Sequence, residues 1–137
     1  MKIIYKGFEE FSRKVEGMAR RMRGEMETTT RKAVLYVHST VPPYPGEPAG
    51  SEYRRTGTLG RSIGTEVRPI GVGFVGIIGT PTVYAPYVIS EEAVGGRGPQ
   101  AWMHKGRWWT LQGVVRKAFP KVVGMYEEMW RRIIFHR

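Results

Sequence analysis

From Phe8 the apolar positions fall at Phe8, Phe11, Val15, Met18, Met22, Met26, Ala33 and Val37, steps of three and four or multiples close to that, which trace one stripe along a helix. The other face is charged. Glu9 to Arg13, Glu10 to Lys14, Glu16 to Arg20 and Glu27 to Arg31 are acidic-then-basic pairs four residues apart, the order that supports an exposed helix. The pattern predicts a helix over residues 6–39, roughly 50 Å long at about 1.5 Å per residue. Gly17 and Gly24 cost about 1 kcal/mol each against alanine, and Thr28 to Thr30 is a further weak point. A helix longer than a small globule is wide usually packs on something besides its own domain.

Pro42 and Pro43 end that helix, because they remove backbone donors and push the residues before them away from helical geometry. The stretch from Val41 to Ile63, VPPYPGEPAGSEYRRTGTLGRSI, therefore begins as a loop, with 41–58 as an extended arm and Thr56 to Ile63 as the entry to a strand. Ile63, Thr65 and Val67 then alternate with Gly64, Glu66 and Arg68, the mark of a half-buried strand. Pro69-Ile70-Gly71 reads as a turn, and Val72 to Thr80 as a second, glycine-laced strand that completes a hairpin. Its glycines point to a bulge or to close approach of another backbone.

PTVYAPYVISEEA starts with strand character and turns into a short helix at Tyr84 to Glu92, and GGRGPQ after it is a loop. From Trp108 the apolar positions Leu111, Val114, Val115, Ala118, Val122, Tyr126, Met129, Trp130 and Ile133 return to helical spacing, with Pro120 breaking or kinking the helix. The order of elements predicts an α+β fold: a long N-terminal helix and a C-terminal helix packed on a small, mainly antiparallel sheet. At 137 residues and 41% hydrophobic content, one domain over 1–137 is expected.

Composition narrows the chemistry. The absence of cysteine excludes disulfides, thiolate metal sites and cysteine nucleophiles. The start, MKIIYKGFEEF, breaks its apolar run with charges, so neither a signal peptide nor a membrane span is expected, and a soluble protein made in a cytoplasm follows. The net charge of +10 is uneven: residues 1–40 and 101–137 are basic, whereas 41–100 are balanced. Such a distribution suits an acidic partner, nucleic acid or protein, or simply a well-solvated chain. Asn and Asp are absent and Arg outnumbers Lys, which is compatible with a thermophilic source. A GC-rich genome gives much of the same bias.

His38, His104 and His136 show no spacing for metal ligation or for a base beside a nucleophile. The pairs Glu91-Glu92 and Glu127-Glu128 read as solvated helix positions, since sequence neighbours diverge on a helix. The glycine runs lack a Walker lysine. No enzyme activity, cofactor or metal is expected. Two features suit binding instead. AWMHKGRWW, residues 101–109, interleaves three tryptophans with Lys105 and Arg107, a mix that stacks on bases or anchors protein interfaces, although the tryptophans fill a core equally well. Arg20, Arg21 and Arg23 form the second cluster, either a DNA contact or a solvated face.

Taken in order, Thr56-Gly57-Thr58-Leu59 with Arg61-Ser62-Ile63, the glycine-punctuated strand, Tyr84-Ala85 with Tyr87-Val88, and an aromatic segment before a final helix resemble the tail-completion, or head-tail joining, family of long-tailed DNA phages and prophages. Two departures stand out: Glu91-Glu92-Ala93-Val94-Gly95 is displaced and lacks the family's Thr, and the aromatic-Pro segment is spread over Trp108-Trp109 and Phe119-Pro120. The resemblance implies a non-enzymatic virion subunit at the head-tail junction or in the tail, assembled in the host cytoplasm as a sixfold ring of copies of itself. Its further partners would be connector or stopper, tail terminator or tail-tube proteins, with non-specific contact to packaged DNA and no membrane. Pro42, Pro43, Tyr44, Pro45, Tyr53, Arg54, Arg55, Tyr84 and Tyr87 are the expected subunit contacts, and residues 42–55 are expected to order on assembly. Arg20, Arg21, Arg23, Lys105 and Arg107 are the expected contacts to DNA or an acidic partner. The alternative reading is a stand-alone basic nucleic-acid-binding module.

Overall fold

The computed structural model describes residues 6–52 and 56–135. The elements run α1 (Lys6–Ser39), α2 (Thr58–Arg61), β1 (Gly64–Ile70), β2 (Gly73–Gly79), α3 (Ala85–Ile89) and α4 (Leu111–Phe135). The fold is α+β, built around α1. The helix packs on one face of a two-stranded antiparallel sheet and, along another side, on α4.

The hairpin is regular, with Gly64 opposite Gly79 and each later pair in step through Ile70 opposite Gly73. The expected bulge is not there. Close approach is, but to a helix: a Cβ added at Gly76 would lie 3.2 Å from the Val34 Cβ of α1, so glycine lets the sheet settle on the helix. The turn also shifts from its expected place. Gly71, with φ of 54°, and Val72, on the negative side, make a two-residue connection of the type II′ kind, and Pro69 and Ile70 belong to the strand. Pro69 is tolerated because alternation from the closing Ile70–Gly73 pair leaves it opposite Phe74 at a non-hydrogen-bonded position, where the ladder needs no N–H.

α1 and α4 run antiparallel. Val37 clusters with Val114 and Ala118, the Thr30 hydroxyl meets the Tyr126 hydroxyl at 2.5 Å, and Arg132 pairs with Glu25 at 3.3 Å. Ala33, Val34 and Val37 are buried on α1, and Met129, at 1% exposure, is the most enclosed side chain of α4. Burial of each of the valines and of Met129 contributes roughly 1.5–3 kcal/mol. The threonines expected to weaken α1 lie in its most buried stretch. Thr29 and Thr30 are both 3% exposed, and Thr30 satisfies its hydroxyl on the Met26 carbonyl as well as on Tyr126. Pro120 does not break α4 either. It sits exposed on the helix while Val114, Ala118 and Met129 stay buried, and only the donor that would reach the Arg116 carbonyl is lost.

A second core cluster joins Leu59, Ala85, Val88 and Ile89, with Tyr44, Trp108, Trp109 and Leu111 packed against it. The two runs that carry the phage-family resemblance therefore meet: Leu59 comes from the first, Ala85 and Val88 from the second.

Candidate assembly interface

Antiparallel pairing fixes where α4 stops along α1. Arg132 lies beside Glu25, and the last residue of α4, Phe135, is thus level with about Met22. The part of α1 before that point projects by roughly 20 Å at about 1.5 Å per residue. On this spur every residue from Glu9 to Arg21 is exposed except Ser12 and Gly17, which are half-buried. Phe11, Val15 and Met18 are 64%, 48% and 61% exposed, on the stripe that continues into the core as Ala33 and Val37. Ion pairs brace the polar sides of the helix, Lys14 to Glu10 at 3.0 Å and, in the packed half of α1, Arg31 to Glu27 at 3.2 Å, while Arg13 Nε donates to the Glu9 carbonyl.

α4 is apolar on two faces. One is buried against α1, and the other presents Val115, Phe119, Val123, Trp130 and Ile134 to solvent. At its start this outer stripe enters a groove of about 730 Å³ between the base of the hairpin, α3 and the first turns of α4. Ile78, Ile89 and Leu111 line it, with the exposed Val83 and Val94 at its sides. Exposed apolar side chains gathered along a helix and around a groove make this surface a candidate interaction site.

The expected interface residues are placed unequally. Tyr44 is half-buried against its own chain: its hydroxyl donates to the Gly57 carbonyl at 3.0 Å and accepts the Gly60 N–H, and its ring meets Trp108 edge-on at 5.2 Å. A Cβ at Gly60 would come within 2.7 Å of the Tyr44 hydroxyl oxygen, so any larger residue there would push the Tyr44 ring aside. Gly57, with φ of 72°, supplies the left-handed residue that starts α2. Within Thr56 to Ile63, Thr58–Arg61 is thus a short helix, and Ser62 and Ile63 lead from it into β1 at Gly64. Ser62 ties it to the far side of the hairpin through Thr80 and Thr82, at 2.6 and 2.7 Å. Pro42 and Pro43 are exposed and Pro45 is half-buried. Tyr84 immediately precedes α3 and Tyr87 lies within it, both exposed. Tyr53, Arg54 and Arg55 lie outside the described residues, as does His136.

The candidate cationic contacts fall into two separate groups. Arg20 and Arg21 are exposed at the root of the spur, and Arg23 lies over the Phe74 ring at 5.2 Å, a cation–π contact with β2. Lys105 and Arg107 are exposed beside Trp108, near the other end of α1, on the order of 20 Å away along that helix. The tryptophans divide likewise. Trp108 and Trp109 are half-buried in the core, whereas Trp102 is 81% exposed.

Several structural residues escaped the sequence reading. Glu91 follows the end of α3 in a loop and is not a free helix position: Arg116 grips both its oxygens, at 2.8 and 2.5 Å, and Thr110 donates to it at 2.6 Å. The Arg116 guanidinium first, then the Thr110 hydroxyl, hold its carboxyl down at about 2. Gln100, buried, donates to the Val88 and Trp108 carbonyls, and Gln112 accepts the Glu91 N–H and donates to Ser90. The one available signal was that these are the chain's only carboxamides. His38 is used structurally, its Nε2 at 3.1 Å from the Ile63 carbonyl oxygen.

Among the described residues there is no group of three or more His, Cys, Asp or Glu side chains placed to hold a metal ion. No described helix is long and apolar enough to cross a membrane. No family model, curated protein or solved structure matches the chain.

Proposed function

We propose that the chain is a non-enzymatic structural subunit of a phage particle, a tail-completion or head-tail joining protein that assembles as a ring at the connector-tail junction. The observation that carries this reading is the spur: about four turns of helix whose apolar stripe, Phe11, Val15 and Met18, is exposed and belongs to neither core cluster of the described residues. Leaving that stripe in water forgoes stabilisation of roughly 25 cal/mol per Å² of apolar area, an arrangement that makes sense when another molecule covers it. The resemblance of Thr56 to Ile63 and of Tyr84 to Val88 to the phage family supplies the kind of assembly. In a sixfold ring each subunit uses two different surfaces, which suits a molecule with one apolar projection and a separate apolar groove. Connector or stopper proteins on one side, and tail terminator or tail-tube proteins on the other, are the remaining partners. The arginines would face packaged DNA through its phosphates, without reading sequence.

Native mass spectrometry of the full chain, alone and with the connector and tail proteins encoded beside it, tests this reading. A discrete ring, or a stable complex with one of them, is expected; a chain that stays monomeric in both settings overturns it.

One observation favours a second reading, a free-standing nucleic-acid-binding module: the exposed Trp102 beside exposed Lys105 and Arg107. Filter binding separates the two. Tight binding of free DNA by the monomer, lost steeply with added salt, would make nucleic-acid binding the primary function.

A further inference from the structure

The two edges of the hairpin are not alike. In its register the hydrogen-bonded pairs are Ile70–Gly73, Arg68–Val75, Glu66–Ile77 and Gly64–Gly79, so the residues between them turn their N–H and carbonyl groups outward. On β1 those are Thr65, Val67 and Pro69, and Pro69 brings no donor, a device that blunts a strand edge. On β2 they are Phe74, Gly76 and Ile78, with neither a proline nor a charge anywhere in Gly73–Gly79. Among the described residues no hydrogen bond reaches the outward main-chain groups of these three. Solvent does reach them: Gly76 has its Cα face against Val34 and yet is exposed, so its open part is the main chain.

The open edge faces α4. Gly76 sits over Thr30 and Val34, Thr30 meets Tyr126, and Ile78 packs with Val37, Val114 and Ala118, which puts β2 on the α4 side of α1. Val123, Trp130, Phe119 and Val115 lie three, four, seven and eleven residues from Tyr126, on the same side of α4, and all four are exposed. Adjacent strands lie about 4.8 Å apart and packed helices about 8–10 Å apart, so two strands cover one helix and leave the flank of the second bare.

We propose that the outer edge of β2 takes up an extended segment of a partner protein as a third strand, paired through the main chain of Phe74, Gly76 and Ile78. Apolar side chains at alternate positions of that segment lie on Val115, Phe119, Val123 and Trp130. The edge itself selects this occupant. Its donors and acceptors recur at every second residue of an extended main chain, so another extended main chain satisfies them, whereas a helix has already spent its own groups internally. The bare flank of α4 sets the alternation, apolar toward the helices and unrestricted toward solvent. The hairpin of a second copy has the wrong shape: laid antiparallel on this edge, it brings its own α1 and α4 to the same side of the sheet, into the space that α4 fills. The segment therefore has no helix behind it, as in a tail or a loop. The contact requires one copy of the chain, so it stands or falls apart from ring formation.

Amide hydrogen exchange on the full-length chain, with and without the synthetic peptide acetyl-Glu-Val-Thr-Val-Thr-Val-Glu-amide, tests this. In the chain alone, the amides of Phe74, Gly76 and Ile78 are expected to exchange at least about tenfold faster than those of Val75 and Ile77, which pair with β1. The peptide is expected to slow the first three by at least about tenfold. Two further peptides, N-methylated at the three valines or at the two threonines, separate main-chain pairing from apolar adhesion: one set of amides faces β2 and the other faces away, so one peptide should lose binding and the other keep it. Equal binding by both, or failure of every peptide to protect the three amides, overturns the added strand. Protection in the chain alone that grows with its own concentration would give the edge to a second copy, and protection at every concentration would show the edge already satisfied; either result overturns it as well.

Discussion

The two halves of α1 share one amphipathic pattern and meet opposite fates. From Thr29 to Val37 the stripe is made of small or β-branched residues, Thr29, Thr30, Ala33, Val34 and Val37, all buried beneath β2 and α4. From Phe11 to Met18 the stripe, Phe11, Val15 and Met18, is in water. Small residues let a sheet and a second helix approach closely, as the 3.2 Å from a Cβ added at Gly76 to the Val34 Cβ illustrates. Long, adaptable side chains such as methionine suit a surface that is closed by another molecule. Periodicity alone announces an apolar face; where the sheet and α4 end along α1 decides which part of it is covered within the chain.

The largest expected effect comes from the packed side of this comparison. Met129→Ala, at the most enclosed position of α4, is expected to destabilise the monomer by about 2–5 kcal/mol in urea unfolding, whereas Met18→Ala on the spur changes it by no more than about 0.5 kcal/mol. Comparable losses would mean that the spur packs on its own domain after all.

Next in size is the clamp on the loop. Gly60→Ala places a methyl against the Tyr44 hydroxyl and is expected to cost about 1–3 kcal/mol, and Tyr44→Phe, which removes the hydroxyl's two hydrogen bonds, about 1 kcal/mol. Both changes should speed proteolysis within residues 42–52. Cleavage at the wild-type rate would show that Tyr44 does not hold that segment.

The smallest effect is electrostatic. The folded-state pKa of Glu91, about 2, lies below its ordinary 4.5, so its pairing with Arg116 stabilises the fold above about pH 4.5 and is lost as pH falls through about 2. A carboxyl titration followed by NMR should place Glu91 well below Glu9 on the spur, and Arg116→Gln should move it back toward the ordinary value. A Glu91 that titrates with the other glutamates in the wild type would remove this anchor between the loop after α3 and the start of α4.

How much of this was legible in the sequence depends on the range of the interactions involved. Both long helices and the hairpin could be read directly, because hydrophobic period is a local signal. The C-terminal end of α1 agrees with expectation because Pro42 and Pro43 leave little alternative. The strand through Pro69 was missed because tolerance of proline depends on which ladder positions need a donor, and that is set by the register across the hairpin. α2 was missed because its four residues carry no period; it is fixed by Gly57, by the Tyr44 ring across the loop and by Ser62 reaching Thr80 and Thr82. Of the candidate surfaces, the unusual length of α1 was plain from the sequence. That its N-terminal end stands clear of α4, and that α4 exposes a second apolar stripe running into a groove, became visible only once antiparallel packing had fixed where each helix ends.

The central claim, that the spur is an assembly element, is tested most directly by sedimentation velocity on the full-length chain and on Met18→Glu across a wide concentration range. The account predicts that the wild type sediments as a closed oligomer and that Met18→Glu sediments as a monomer, with the same thermal unfolding midpoint once the oligomer is diluted to monomer. A variant that assembles as the wild type does would contradict it.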